Sequence, residues 1–146
     1  MAKLEFSFTH SLRVRWAEVD LQGIVFNGNY LTYFDVAVTE YWRDAGLIED
    51  VIHPVDHVEM FARKSTIEYH SPARFDDVLE IGVRCAEFGR TSMRLVIEIY
   101  KGEEFLISGE LIYVSANSQL RKSVPLPENW KRKIIAMEKA TSIISS

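Results

Sequence analysis

The sequence predicts an α+β fold, five antiparallel strands laid against one long helix. Three observations carry that prediction. Residues 29–45 read as a helix whose polar positions fall on one narrow stripe. Residues 4–16 alternate apolar and polar without a break, the pattern of a half-buried strand. Three more alternating segments, 78–88, 91–100 and 105–115, follow one another across short turns, as in an antiparallel meander.

The helix comes first because the chain is organised around it. Thr32, Asp35, Thr39 and Arg43 recur at three- and four-residue steps and form the polar stripe. Tyr30, Leu31, Tyr33, Phe34, Val36, Ala37, Val38, Tyr41, Trp42 and Ala45 make nearly everything else apolar. Such a helix must be covered over most of its circumference. Gly46 stands where a glycine ends a helix. Asn27 or Asn29 can cap the start, with Gly28 between them easing the turn.

The first strand points Leu4, Phe6, Phe8, His10, Leu12, Val14 and Trp16 one way and Glu5 to Arg15 the other. Residues 47–57 lose periodicity and contain Pro54, so a loop is expected. Residues 58–71 form a weaker strand, ended by Pro72. In the meander Leu79, Ile81, Val83 and Cys85 face inward, then Met93, Leu95, Ile97 and Ile99, then Phe105, Ile107, Gly109, Leu111 and Tyr113. Gly89-Arg90 and Lys101-Gly102-Glu103-Glu104 are the turns between these strands. A short helix over 128–139 follows Pro125 and Pro127. The opposite sheet face keeps Phe88, Val96, Leu106, Ile112 and Val114, which suggests burial against another subunit.

A chain of 146 residues with 47% hydrophobic and 26% charged residues fits one folded domain spanning 1–146. No apolar run reaches the length of a membrane span, and the N-terminus lacks a signal core, so a cytoplasmic protein is expected. The single cysteine fits a reducing compartment. A net charge of -4 gives no reason to expect nucleic acid. His10, His53, His57 and His70 show no metal-ligand spacing with one another or with Cys85, so no metal is expected. There is no Gly-x-Ser-x-Gly elbow and no Gly-rich phosphate loop.

The segment Asp20-Leu21-Gln22-Gly23-Ile24-Val25-Phe26-Asn27-Gly28-Asn29-Tyr30, running into the apolar helix, resembles the signature of the hotdog-fold acyl-CoA thioesterases. The resemblance is to the subfamily of 4-hydroxybenzoyl-CoA thioesterase and the Tol-Pal-cluster thioesterases. Tyr69 to Asp77 is similar to the family's Pro-to-Asp strand junction, Gly89 to Ser92 to its hairpin turn, and Pro125-Leu126-Pro127 to its C-terminal segment. The likeness covers roughly residues 10–135. One position departs: many bacterial relatives carry His where this chain has Asn27, and others carry Asn. The resemblance implies a hotdog fold, the five-stranded antiparallel sheet wrapped around the central helix. It also implies hydrolysis of acyl-CoA without a cofactor, coenzyme A being part of the substrate.

A thioester is already activated. Its hydrolysis needs a carboxylate that attacks the carbonyl or activates water, and donors where the oxyanion forms. By the resemblance Asp20 is the carboxylate, as nucleophile or general base. A helix N-terminus has unpaired N–H groups with partial positive charge, so the backbone N–H of Gly28, Asn29 or Tyr30 is a candidate donor. Gly23 lets the intervening backbone turn tightly, and with Val25 and Asn27 completes the substrate-binding set. The other reading of Asp20 is a turn aspartate, and of Asn27 and Asn29 helix capping. Asp35, on the helix, is the rival carboxylate. Arg63, Lys64 and Arg90 are candidates for the coenzyme A nucleotide, Arg63 or Lys64 arriving from a partner subunit.

A homodimer or a tetramer of dimers is expected, because pairing sheets edge to edge hides exposed strand edges. The runner-up function is a non-hydrolytic acyl-binding module acting with an acyl carrier protein. A hotdog dehydratase is disfavoured, since it pairs its acid with a His near the central helix and no His lies between residues 11 and 52.

Overall fold

The computed structural model describes residues 6–138 and 143–145. Leu4 and Glu5 of the expected first strand and Lys139 of the expected last helix lie outside the described residues. The principal elements are β1 (Phe8–Arg13), α1 (Asn29–Asp44), α2 (Ile48–Ile52), β2 (Val58–Tyr69), β3 (Val78–Phe88), β4 (Ser92–Lys101), β5 (Glu104–Asn117) and α3 (Glu128–Met137). The five long strands pair antiparallel in the order β1-β3-β4-β5-β2, and α1 lies in the curl of that sheet. Two short strands, β6 (Lys122–Ser123) on β5 and β7 (Ile144–Ser145) on β3, extend it. The fold is the hotdog.

The expected helix holds to within one residue. Tyr30, Tyr33, Phe34, Ala37, Val38, Tyr41 and Trp42 are buried, which is the broad apolar face at helical spacing. Each large side chain so covered contributes roughly 1.5–3 kcal/mol through loss of water contact. The helix ends in a Schellman motif. Gly46, at φ +80°, donates its N–H to the Arg43 carbonyl at 3.0 Å, and the Leu47 N–H reaches the Trp42 carbonyl at 2.8 Å. The helix also touches the sheet directly: a Cβ at Gly109 would stand 2.5 Å from the Phe34 ring and from the Thr66 carbonyl. Only glycine lets Phe34 reach the sheet there.

Four sequence expectations about facing fail, those for Trp16, Phe88, Leu106 and Phe105 (the last expected inward), each for a local reason. Trp16 was expected inward, but β1 stops at Arg13 and Trp16 opens a single 3-10 turn. Its ring is 72% exposed, edge-on to Phe75 at 5.0 Å. Phe88 and Leu106 were expected outward, yet both are buried. A register shift between Cys85 and Glu87 adds Ala86 to β3 and reverses the facing after it. A second shift leaves Leu106 without a partner on β4, so Leu106 and Ile107 both turn inward while Phe105 is 37% exposed. The expected loop at 47–57 contains α2 and a 3-10 turn, Val55–His57.

β2 lies at the end of the sheet order with one edge unpaired among the described strands, over 12 residues. It carries its own shift between Ala62 and Lys64. No helix among the described residues is long and apolar enough to cross a membrane.

Candidate active site at the start of the central helix

The residues between β1 and α1 form a small hairpin. Val19 bridges Val25, and the Asp20 N–H reaches the Ile24 carbonyl at 2.9 Å. At its tip the Gly23 N–H donates to the Asp20 carbonyl at 3.0 Å, and Gly23 sits at φ +76°, where glycine is unstrained. The other side of the hairpin is stitched to the segment after β2. The Val25 N–H donates to the Ala73 carbonyl at 2.9 Å, and the Phe75 N–H to the Gly23 carbonyl at 3.2 Å. Asp20 is exposed. Its Oδ1 accepts the Gln22 N–H at 2.8 Å, and its Oδ2 has no partner among the described residues. One oxygen therefore does the work of a turn aspartate, and the other remains open to chemistry.

The helix start differs in detail from a capped terminus. Neither asparagine caps it. Asn29 turns its amide back and donates Nδ2–H to the Glu18 carbonyl at 2.8 Å. Gly28 has φ −65° and ψ −22°, ordinary helical values, so its backbone does not require glycine. A Cβ there would stand 3.2 Å from the exposed Phe26 ring. The Asn29 N–H is taken by the Phe26 carbonyl at 2.9 Å and the Tyr30 N–H by the Asn27 carbonyl at 3.4 Å. Of the three candidate donors, Gly28 is the one whose N–H has no partner among the described residues.

A cleft of about 210 Å³ opens beside this terminus. Val25, Asn27 and Tyr30 line one side, and Tyr69, His70 and Ile107 the other. Tyr30 is fixed there: its hydroxyl oxygen accepts the Ala73 N–H at 3.0 Å, and its ring meets Tyr69 and Tyr33 edge-on at 5.7 and 5.9 Å. Burial raises the Tyr30 phenol above its ordinary value, so it serves as a neutral wall. The Tyr69 hydroxyl donates to the Asn27 carbonyl at 3.4 Å. His70 stacks on Phe105 at 4.6 Å, with its Nε2 2.9 Å from Ser108 Oγ. Asp20 is not on the cleft wall; it is hydrogen-bonded across the hairpin to Ile24, which is.

Sequence reasoning missed three residues here. Tyr69 and His70 line the cleft, although the motif quoted from Tyr69 onward contained both. Glu18 is the third. It is buried two residues before Asp20 and accepts hydrogen bonds from the Arg15 backbone at 2.8 Å, the Arg15 Nε at 2.9 Å and the Tyr33 hydroxyl at 2.8 Å.

The three basic candidates are elsewhere. Lys64 pairs with Ile112 and Tyr69 with Ile107, which puts Arg63 and Lys64 about 17–20 Å up β2 from the cleft at strand rise. Arg90 lies in the β3–β4 turn, at the far end of the strands, where its carbonyl accepts the Leu126 N–H at 3.0 Å. Within one protomer none of the three reaches the cleft. Asp35 is exposed on the open side of α1. Among the described residues no group of three or more His, Cys, Asp or Glu could hold a metal ion.

Comparison with known proteins assigns the family. The model of the thioesterase superfamily matches residues 22–107, more than half of the chain. The chain belongs to that superfamily. It is a thioester hydrolase, and the matched segment starts inside the Asp20 hairpin and ends on β5 at the cleft. This thioesterase is 28% identical over 123 residues to the acyl-CoA thioester hydrolase YbgC of Escherichia coli O6:H1, covering 84% of this chain and 91% of that protein. Its fold matches a 1,4-dihydroxy-2-naphthoyl-CoA thioesterase from Synechocystis with TM-score 0.81 at 21% identity, over 90% of this chain and 98% of that one. A Thermus thermophilus thioesterase crystallised with coenzyme A and zinc matches with TM-score 0.78 at 25% identity, over 92% and 96% of the two chains.

Proposed function

We propose that this thioesterase hydrolyses acyl-CoA to the free acid and coenzyme A, with Asp20 as nucleophile or general base and the Gly28 N–H polarising the thioester carbonyl. The observation that carries the reading is that two groups on the short segment entering α1 stand open. One is a carboxylate oxygen, Asp20 Oδ2, on a hairpin that itself walls the cleft. The other is a donor without a partner, at the positive end of a 16-residue helix. The thioester carbonyl enters between them. Attack on the carbon moves charge onto the oxygen, where the helix terminus stabilises it. Collapse breaks the C–S bond and expels the thiolate of coenzyme A: with Asp20 as general base the attacker is water, whose proton Asp20 takes and the thiolate receives, and with Asp20 as nucleophile the acyl-aspartyl anhydride is then cleaved by a water that also supplies the thiolate's proton. The relatives acting on acyl-CoA support the choice of substrate.

Asp20→Asn tests this. It keeps size and the Oδ1 acceptor that the turn needs, so the fold should stand while kcat falls on the order of 10²-fold or more. Thiol release from a panel of benzoyl, short-chain and long-chain acyl-CoAs is the assay. Asp35→Asn runs in parallel and should keep most of the rate. Turnover that survives Asp20→Asn and is lost with Asp35→Asn would move the carboxylate to the helix.

The active unit in this proposal is at least a homodimer. The free edge of β2 pairs with a second copy, and that copy brings Arg63 or Lys64 toward the nucleotide of the substrate. Sedimentation that finds a stable, fully active monomer would end this part of the reading.

A further inference from the structure

We propose that Glu18 is a positioning residue of the active site, a clamp that holds the Asp20 hairpin and the start of α1 in one geometry. The inference rests on the function proposed above. Its basis is the number of separate elements that meet on one residue. The Glu18 carboxylate takes the Arg15 backbone N–H at 2.8 Å, the Arg15 guanidinium through Nε at 2.9 Å and through Nη2, and the Tyr33 hydroxyl at 2.8 Å. Its carbonyl takes the Phe26 N–H at 3.0 Å and the Asn29 side-chain amide at 2.8 Å. The side chain thus joins the exit of β1 to the second turn of α1. The main chain joins the entry and exit of the hairpin to the first residue of α1.

The two open groups of the site flank these anchors. Asp20 is two residues beyond Glu18, and Gly28 stands between the Phe26 and Asn29 that Glu18 holds. Neither has a side-chain anchor of its own on the helix. Reaction geometry tolerates little misplacement between a carboxylate and an oxyanion donor, so slack in either arm lowers turnover before it loosens binding. A buried carboxylate suits the task because it is charged. Burial works against that charge, but the bonds from Arg15 and Tyr33 outweigh it and hold the carboxyl below its ordinary range. Charged acceptors make shorter and stronger hydrogen bonds than neutral ones.

Glu18→Gln, Tyr33→Phe and Asp20→Asn should be compared with wild type and with Ile97→Val, a core change on β4 away from the site. Amide hydrogen exchange and steady-state thioester hydrolysis are the two readouts. In Glu18→Gln, exchange should quicken in peptides covering residues 19–33 and stay unchanged over β3 and β4. Its kcat should fall about tenfold, with KM within about twofold. Tyr33→Phe removes one donor only, which guards against a misfolded Glu18 variant, and should lower kcat about threefold. Ile97→Val should lower thermal stability and leave kcat alone, which separates positioning from general loosening.

Unchanged exchange over residues 19–33 in Glu18→Gln would show that Glu18 is no clamp. Quickened exchange with near-wild-type kcat would show that the clamp does not matter to the reaction. A wild-type rate in Asp20→Asn beside a slow Glu18→Gln would overturn the assignment of Asp20 and leave the positioning role in place.

Discussion

Each end of α1 has a tyrosine hydrogen-bonded to a buried carboxylate, and the two pairs differ in what surrounds the charge. At the N-terminal end Tyr33 donates to Glu18 at 2.8 Å. Arg15 supplies further donors, and the carboxyl is held below its ordinary range. At the other end Tyr41 donates to Glu138 at 2.5 Å, and the Cys85 N–H does so at 2.8 Å. Burial dominates over those two bonds and the pull of the Arg84 charge, and the Glu138 carboxyl rises above its ordinary range. The same burial pushes the Cys85 thiol up to about 12, so it is an inert core group.

The difference teaches how one helix serves two purposes. Its C-terminal end is a dry seal. Glu138 follows α3 and ties it through Tyr41 to the helix and through Cys85 to β3, whose extra residue Ala86 breaks the ladder there. Its N-terminal end is a charged clamp close to solvent and to the proposed chemistry. The seal bears on stability, the clamp on turnover.

The largest expected effect is on the seal. Glu138→Ala leaves the Tyr41 hydroxyl and the Cys85 N–H without their acceptor in a dry interior. Orphaned buried donors cost about 1–3 kcal/mol each, so the total loss should be about 2–6 kcal/mol by urea unfolding. Tyr41→Phe, which removes one bond, should cost about 1–2 kcal/mol. In both variants kcat of the folded fraction should match wild type. A large fall in kcat with stability intact would mean that the two ends of the helix do not divide their labour.

The second effect is a pair of opposite pH trends. A carboxyl at its ordinary value near 4.5 titrates below neutral pH in the unfolded chain. Folded Glu18 releases its proton at lower pH than that, so its contribution to stability is full above the ordinary range and is lost as pH falls through its folded value. Folded Glu138 keeps its proton to higher pH, so folding is favoured in acid and weakened as pH rises through the ordinary range. The cost of Glu18→Gln should therefore grow as pH rises toward the ordinary value near 4.5 and level off above it, and the cost of Glu138→Gln should shrink as pH rises from that value through the higher folded one. Parallel slopes in the two variants would erase the contrast.

How much of this was visible in the sequence follows from what each signal encodes. The helix, β1 and the meander announce themselves because periodicity reports which face is buried. The bulges do not. Ala86 and Leu106 are apolar and fit either face, so nothing in the pattern marks the residue at which facing reverses. Asp20 and Gly23 were legible because a local turn needs an acceptor and a positive φ. Glu18 was not, because its partners lie three residues back and fifteen residues on, across two elements whose docking is a tertiary event. Asn29 suited a cap by residue type, and the carbonyl that claims it belongs to that same Glu18.

The smallest effect belongs to the third charged pair of α1, and it marks the lower bound of the comparison. Arg43 reaches Glu40 through a single contact, Nε to Oε1 at 3.2 Å, with the side chains 55% and 34% exposed. Water screens such a pair, and holding two long side chains together costs entropy that offsets the attraction. Arg43 also sits in the last turn, where a positive charge interacts favourably with the helix dipole. Arg43→Ala should therefore cost at most about 0.5 kcal/mol, or a shift in Tm of about 1–2 °C. That is several-fold less than Glu138→Ala, although both variants remove a charged partner from the C-terminal half of the same helix. A loss above about 2 kcal/mol would show that Arg43 is not screened in solution. Since Arg43 shares the open side of α1 with Thr32 and Asp35, repeating the measurement at two protein concentrations separates the causes. A loss that shrinks on dilution locates a second copy against this face, and one independent of concentration places the missing contact within the protomer.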